Sequence, residues 1–178
     1  PALLVQRLQE LGNYRKMALL GLPVAQAAAP VVVDLERRLA DLANEISLGA
    51  ASDDALLANL LDLSAELARL GAETRHRVSA TRAYWQICSE RIKQLKVGAV
   101  AGYRSLEDFT ERRLSPAVRT CEAFTARLDD LTRHAAWASA LLRTRIDTRL
   151  SAQQRDLLAS MDIRTDLQLR LQDMVEWV

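Results

Sequence analysis

Aromatic residues are only 4% of this 178-residue chain, which also holds just six glycines and four prolines. So few turn-formers exclude glycine-rich phosphate loops and glycine-punctuated α/β topologies. A charge excess is missing too: 24 Lys+Arg stand against 23 Asp+Glu, a formal net charge of +1. That balance argues against a basic nucleic-acid footprint and a polyanionic tail, so no nucleic-acid partner is expected. The two cysteines, Cys88 and Cys121, lack C-x-x-C spacing. Each falls on an apolar position of a predicted helix and reads as a buried free thiol. His76 and His134 are the only histidines, and neither has a second ligand at zinc-site spacing. No G-x-S-x-G, P-loop, H-E-x-x-H or dinucleotide-binding pattern occurs, no serine sits in a nucleophile context, and no signal-peptide pattern is present. No cofactor is expected, and any small-molecule substrate is unknown.

What remains is the material of long helices: 49% apolar residues with many Arg, Glu and Asp, and few strand formers. The segment from Ala2 to Ala29 reads as helix, with Leu4, Leu8, Leu11, Met17 and Leu20 on one face. Gly21-Leu22-Pro23 should kink or end it, because Pro23 has no amide to donate. From Met17 to Val33 the chain is apolar apart from Gln26. A transmembrane span is one reading, but two prolines, a glycine and many alanines favour a buried helical corner. Pro30 suits the first turn of a new helix reaching about Leu48, with Leu35, Leu39, Leu42 and Ile46 inward.

Gly49-Ala50-Ala51 breaks that helix, and Ser52 followed by Asp53 and Asp54 starts the next. Here the pattern is clearest. Leu56, Leu60, Leu63, Leu67 and Leu70 alternate by four and three, and Thr74, Thr81, Tyr84, Cys88 and Leu95 keep the phase. A heptad sustained that long predicts helix-on-helix packing along a coiled-coil seam. Gly71 interrupts it without ending it. Gly98 and Gly102 mark one convincing loop, and Ser105 with Asp108 resembles a capping box opening the last helix. Pro116 should kink or restart that helix. Beyond it Val118, Cys121, Leu128, Leu142, Ile146, Leu157, Leu167, Leu171, Met174 and Val178 supply a seam whose phase drifts near Leu150. The fold expected is all-α, an elongated antiparallel helical bundle with long coiled-coil-like helices. It forms a single helical domain over 1–178: short helices in 1–51, one long helix in 52–97, another in 105–178 kinked near Pro116. The Leu56–Leu70 seam should pack on the helix after Pro116.

The basic run Thr74-Arg75-His76-Arg77, with Arg82 further on, could meet phosphates, but interleaved Glu73 and Glu90 favour a solvated face. Three carboxylate pairs occur: Asp53/Asp54, Asp129/Asp130 and Asp162/Asp166. Asp162 and Asp166 share a helical face and are weak candidates for a hard divalent cation. Arg164 and Arg170 beside them favour simple neutralisation, and no aromatic sugar platform supports glycoside chemistry.

Five stretches carry a resemblance: LVQRLQELGNYRKMALLGLPVA, SATRAYWQICSERIKQL, SLEDFTERRLSPAVRTCEAFTARLDDL, LLRTRIDTRL and LLASMDIRTDLQLRLQDMVEW. In order and over nearly the whole chain, they resemble a bacterial family of uncharacterised membrane-anchored proteins, domain of unknown function 3422. The resemblance implies an α/β-containing part before this region and two apolar spans after the MVE segment. It implies Gly after Glu176, where this chain has Trp177. A soluble part, long helices and two C-terminal spans look like the layout of CorA-type divalent-cation channels, an analogy of topology.

Two function classes follow. The favoured one is a non-enzymatic helical stalk or scaffold of a membrane-anchored protein, soluble in itself and on the cytoplasmic side, with a regulatory part of a CorA-like channel or transporter as the role the analogy suggests. The other is a metal-dependent hydrolase or divalent-cation sensor using Asp162 and Asp166. The chain begins at Pro1 and ends at Val178 in mid-pattern, as a piece of a larger protein would. Apolar residues thicken towards Met174, Val175, Trp177 and Val178, the expected membrane-proximal residues, with Trp177 suited to the bilayer boundary. Partners expected are the membrane and further copies of the chain, because so long an apolar seam exceeds what shorter helices cover.

Overall fold

The structure is a computed structural model that describes residues 2–49, 51–98 and 100–176, with residues 166 and 169–176 described as backbone alone. Four helices account for it: α1 (Ala2–Leu19), α2 (Gly21–Leu48), α3 (Asp53–Leu95) and α4 (Leu106–Glu176). No strand occurs among the described residues.

Each boundary has a local cause. Pro23 cannot donate to the carbonyl of Leu19, and its ring crowds that carbonyl. The helix therefore tightens at Leu20, whose amide donates to Met17 O at 3.2 Å, and α2 restarts at once. The expected start at Pro30 does not occur: α2 runs through it for 28 residues. Pro30 is exposed, on the side of α2 away from its neighbours. Gly49 ends α2 at φ +66°, donating to Glu45 O at 3.0 Å. Ser52 then caps α3 by accepting from the amide of Ala55 at 3.3 Å, and Ser105 caps α4 from Asp108 at 3.0 Å. Nor does Pro116 restart a helix: α4 is continuous for 71 residues, roughly 105 Å at 1.5 Å each.

Cross-helix contacts fix the directions. Arg38 on α2 reaches Glu66 and Asp62 on α3 at 2.6 and 3.0 Å, so those helices run antiparallel. Arg82 on α3 meets Glu122 on α4 at 3.6 Å, and Arg127 on α4 meets Glu36 on α2 at 2.6 Å. α4 thus lies antiparallel to α3 and alongside α2. Leu56, Leu60, Leu63, Leu67 and Leu70 are buried together with Val32, Leu35, Leu39, Leu42 and Ile46 of α2 and Cys121, Leu128, Leu131 and Leu142 of α4. A second, smaller core gathers Leu11 and Ala18 of α1, Cys88 and Ile92 of α3, and Leu114 of α4. Between the cores α2 crosses α3 closely at Gly21. A Cβ there would strike the Thr81 hydroxyl and lie 2.8 Å from Arg77 O.

The inward face of α1 differs from expectation. Leu11 and Ala18 are buried, whereas Leu4, Leu8, Met17 and Leu20 are exposed. α1 needs only a narrow stripe against α3, extended by Tyr14 stacked on Tyr84 at 6.1 Å, and leucines off that stripe have nothing to cover them. The apolar α1–α2 stretch is long and apolar enough to cross a membrane by length and composition, and here a third of it is buried against its neighbours. Both cysteines are free and buried, and burial pushes their thiols up from the usual range.

Candidate functional site

The bundle ends before α4 does. Leu142 is the last fully buried residue of α4, and two turns later the helix leaves its neighbours behind. On the seam that carried Leu128, Leu131, Ala135, Ala138 and Leu142, the next positions at three and four are Arg145 and Arg149. Arginine there has a defined task. Nη1 of Arg145 donates to the carbonyl of Ile46 at 2.6 Å, satisfying one of the orphan acceptors at the end of α2. Its Nη2 faces Asp53 Oδ1 at 3.0 Å, without hydrogen-bond alignment, and Arg149 reaches Asp53 Oδ2 at 2.6 Å. Asp53 sits in the first turn of α3, where the helix dipole favours its charge. The side chains of Arg145 and Asp53 are only 19% and 16% exposed. One arginine therefore ties the end of α2, the start of α3 and the exit of α4 together in a largely dry place, where a charge pair counts for more than on an open surface.

Past this junction the described side chains of α4 soon lose their cover. Every described side chain from 153 on is exposed, including Leu157, Leu158, Met161, Ile163 and Leu167 at 54–64%. We call residues 150–176 the tail and the rest the body. Asp162 lies on the tail and is exposed; the side chain of Asp166 lies outside the described residues, so the structure does not bring the pair together. Among the described residues no three metal-ligating side chains gather. Met174 and Val175 fall on described helical backbone without their side chains, and Trp177 and Val178 lie outside the described residues.

A groove of about 560 Å³ runs between α2 and α4, floored by Leu39, Ala40, Ala43 and Ala138 and walled by Trp137, which is 65% exposed. At its mouth Arg127 grips Glu36 in a two-bond pair at 3.0 and 2.6 Å, which holds its guanidinium above its usual range. Asp130 is already paired with Arg133, and His134 stands alone beside it. The arrangement can cradle an apolar segment; it sets no nucleophile against a base. His76 and Arg75 line a different groove, between α3 and α4 over Gly71.

Sequence reading missed the junction, although its signal was present: two arginines on a seam that had been apolar for eight turns. It also missed the groove, since Trp137 and the alanines opposite it are brought together only by helix pairing.

A family described as protein of unknown function, DUF3422, matches residues 2–178, and the chain belongs to that family. No curated protein and no solved structure matches it.

Proposed function

We propose that this chain is a non-catalytic helical stalk of a membrane-anchored protein, the body serving as a rigid base and the tail as the rod that carries it to the bilayer. One observation carries the reading: α4 leaves the body at the Arg145–Asp53 junction and goes on unbroken for about 27 residues, roughly 40 Å, its described side chains from 153 on all exposed. Most helical stability in proteins comes from packing of an apolar face, so a partner medium at the far end suits a stretch whose described side chains are exposed. The sequence grows more apolar there, through Leu167, Leu169, Leu171, Met174, Val175, Trp177 and Val178, and a tryptophan suits the interfacial layer. On this reading the module lies on the cytoplasmic side and transmits displacement between soluble part and membrane, as in a channel or transporter of CorA-like layout.

The competing reading, a metal-dependent hydrolase or cation sensor on Asp162 and Asp166, has no observation in its favour. Titration with Mg²⁺ decides it: a rise in melting temperature lost in Asp166→Ala would restore it. For the stalk, the test is a cysteine-accessibility scan of the full-length protein from Ser160 through Val178 and beyond. Labelling should fall as the helix enters the bilayer. Uniformly high labelling for about twenty residues past Val178, the length of a span, would end the proposal.

A further inference from the structure

The charges of the chain balance overall but not from place to place. No carboxylate occurs between Glu10 and Asp34, between Glu73 and Glu90, or between Glu111 and Glu122. At the overall frequency of 23 carboxylates in 178 residues, about six would fall in these stretches. They hold eight arginines and lysines instead. The fold brings the three stretches together. Gly21 packs on Thr81 and Arg77, Tyr14 stacks on Tyr84, and Leu11, Ala18, Cys88 and Leu114 share the smaller core. One level of the body is thus girdled by cations. Arg15 and Lys16 stand on α1, Arg75, Arg77 and Arg82 on α3, and Arg112, Arg113 and Arg119 on α4. Of these eight, only Arg82 pairs with a carboxylate among the described residues, reaching Glu122 at 3.6 Å.

At one point of this girdle two cations from different helices converge. The guanidinium carbons of Arg15 and Arg113 stand 5.3 and 5.9 Å from the centre of the Phe109 ring, so no more than about 11 Å separates them. Like charges held this way repel, and contact with one ring neutralises neither. The ring does aim them: a guanidinium laid over an aromatic face keeps its N–H groups free to bond in its own plane. Phe109 is itself 41% exposed, and a side chain added at Gly12 would meet nothing within 4 Å, so there is room beside the pair.

We infer that Arg15 and Arg113, with Lys16 adding charge beside them, hold a compact phosphate-bearing anion. The forks select the group. Two guanidinium edges match the three peripheral oxygens of a phosphate better than the two of a carboxylate, and a phosphate brings about −1.5 to −2 charges to the cluster. The girdle selects the size. Its cations lie on all three helices, and Glu10, Glu73, Glu90, Glu111 and Glu122 bound it along the body. A long polyanion such as nucleic acid would run onto those carboxylates, whereas a small anion is drawn in from every side. The site lies in the body and does not depend on the stalk reading.

The test uses the 178-residue chain, with inorganic pyrophosphate as the probe, followed by calorimetry at low salt. One anion should bind per chain. Arg15→Gln and Arg113→Gln should each weaken binding about 10-fold or more, since each removes a charge-assisted hydrogen bond. Arg15→Lys, which keeps the charge and loses the fork, should weaken it as well. Arg75→Gln, which removes a girdle charge away from the ring, should weaken it less than about 3-fold. A melting curve for each variant, matched to that of the parent, confirms that the fold is kept. Vesicles of phosphatidylglycerol, with phosphatidylcholine as control, separate the sources. Capture by phosphatidylglycerol that needs both arginines and is competed by pyrophosphate would assign the phosphate to a lipid headgroup; pyrophosphate binding without such capture would assign it to a soluble compound. Binding of neither probe at about 10 mM phosphate would overturn the inference. So would equal losses in Arg75→Gln and Arg113→Gln, which would leave only diffuse attraction. Tighter binding of a DNA strand of about 20 nucleotides, unchanged in Arg113→Gln, would overturn it too.

Discussion

Within α4 the stretch before Arg149 and the stretch after it are drawn from the same helix-forming residues, and no break separates them. They differ in what their leucines do. Leu114, Leu128, Leu131 and Leu142 are buried against α2 and α3, or against α1 and α3, and every turn finds a partner. Leu150, Leu157, Leu158 and Leu167 are more than half exposed. The lesson is that helix content and helix stability are separate properties. The body is held by burial, at about 25 cal/mol for each Å² of apolar surface removed from water. The tail has only intrinsic propensity and local side-chain pairs, and depends on whatever it meets outside the body.

The sharpest way to break this contrast is to remove the same side chain from each region. Leu63→Ala, in the core between three helices, should cost about 2–5 kcal/mol in urea unfolding, whereas Leu157→Ala should change the unfolding of the body by less than about 0.5 kcal/mol. Equal losses would mean that the tail folds against the body after all. Next in size is Gly21→Ala. The new methyl meets the Arg77 carbonyl, which belongs to helix backbone and cannot step aside, so a loss of about 1–3 kcal/mol in thermal unfolding is expected. Arg145→Ala tests the boundary itself. It strips Ile46 O of its donor and leaves Asp53 with Arg149 alone, a cost of about 1–2 kcal/mol. Hydrogen exchange should then show faster opening at the end of α2 and around 140–149, and an unchanged pattern there would remove the junction as a fastening point. The smallest effect runs the other way. Gly71→Ala places its methyl at ordinary contact distance, 3.8 Å from Leu128, and should stabilise the body by about 0.5–1 kcal/mol through helix propensity, measured as a raised urea midpoint.

Much of the body was legible. The four-and-three alternation from Leu56 to Leu70 can be satisfied only by helix packing, and both serine caps follow from the need of a helix start for an acceptor. The prolines were legible only in part. Pro23 broke the helix as its chemistry requires, but one turn earlier, at the carbonyl it crowds. Pro30 and Pro116 did not break or restart their helices, because neighbours packed along α2 and α4 hold what the lost amide bond would release. The leucines of α1 misled because periodicity identifies a face without saying how wide a partner will cover it.

By itself, then, the sequence determined helix, cap and the chief seam, since these depend on spacing, on the amide group and on hydroxyl acceptors within a few residues. It also determined the change of pattern near Leu150, visible as a drift in phase. The tertiary structure alone decided what that drift means. Only when α2 and α3 are seen to end at Gly49 and Asp53, beside Arg145, does the drift become the place where one helix passes out of a core, because burial depends on the lengths of all the helices together.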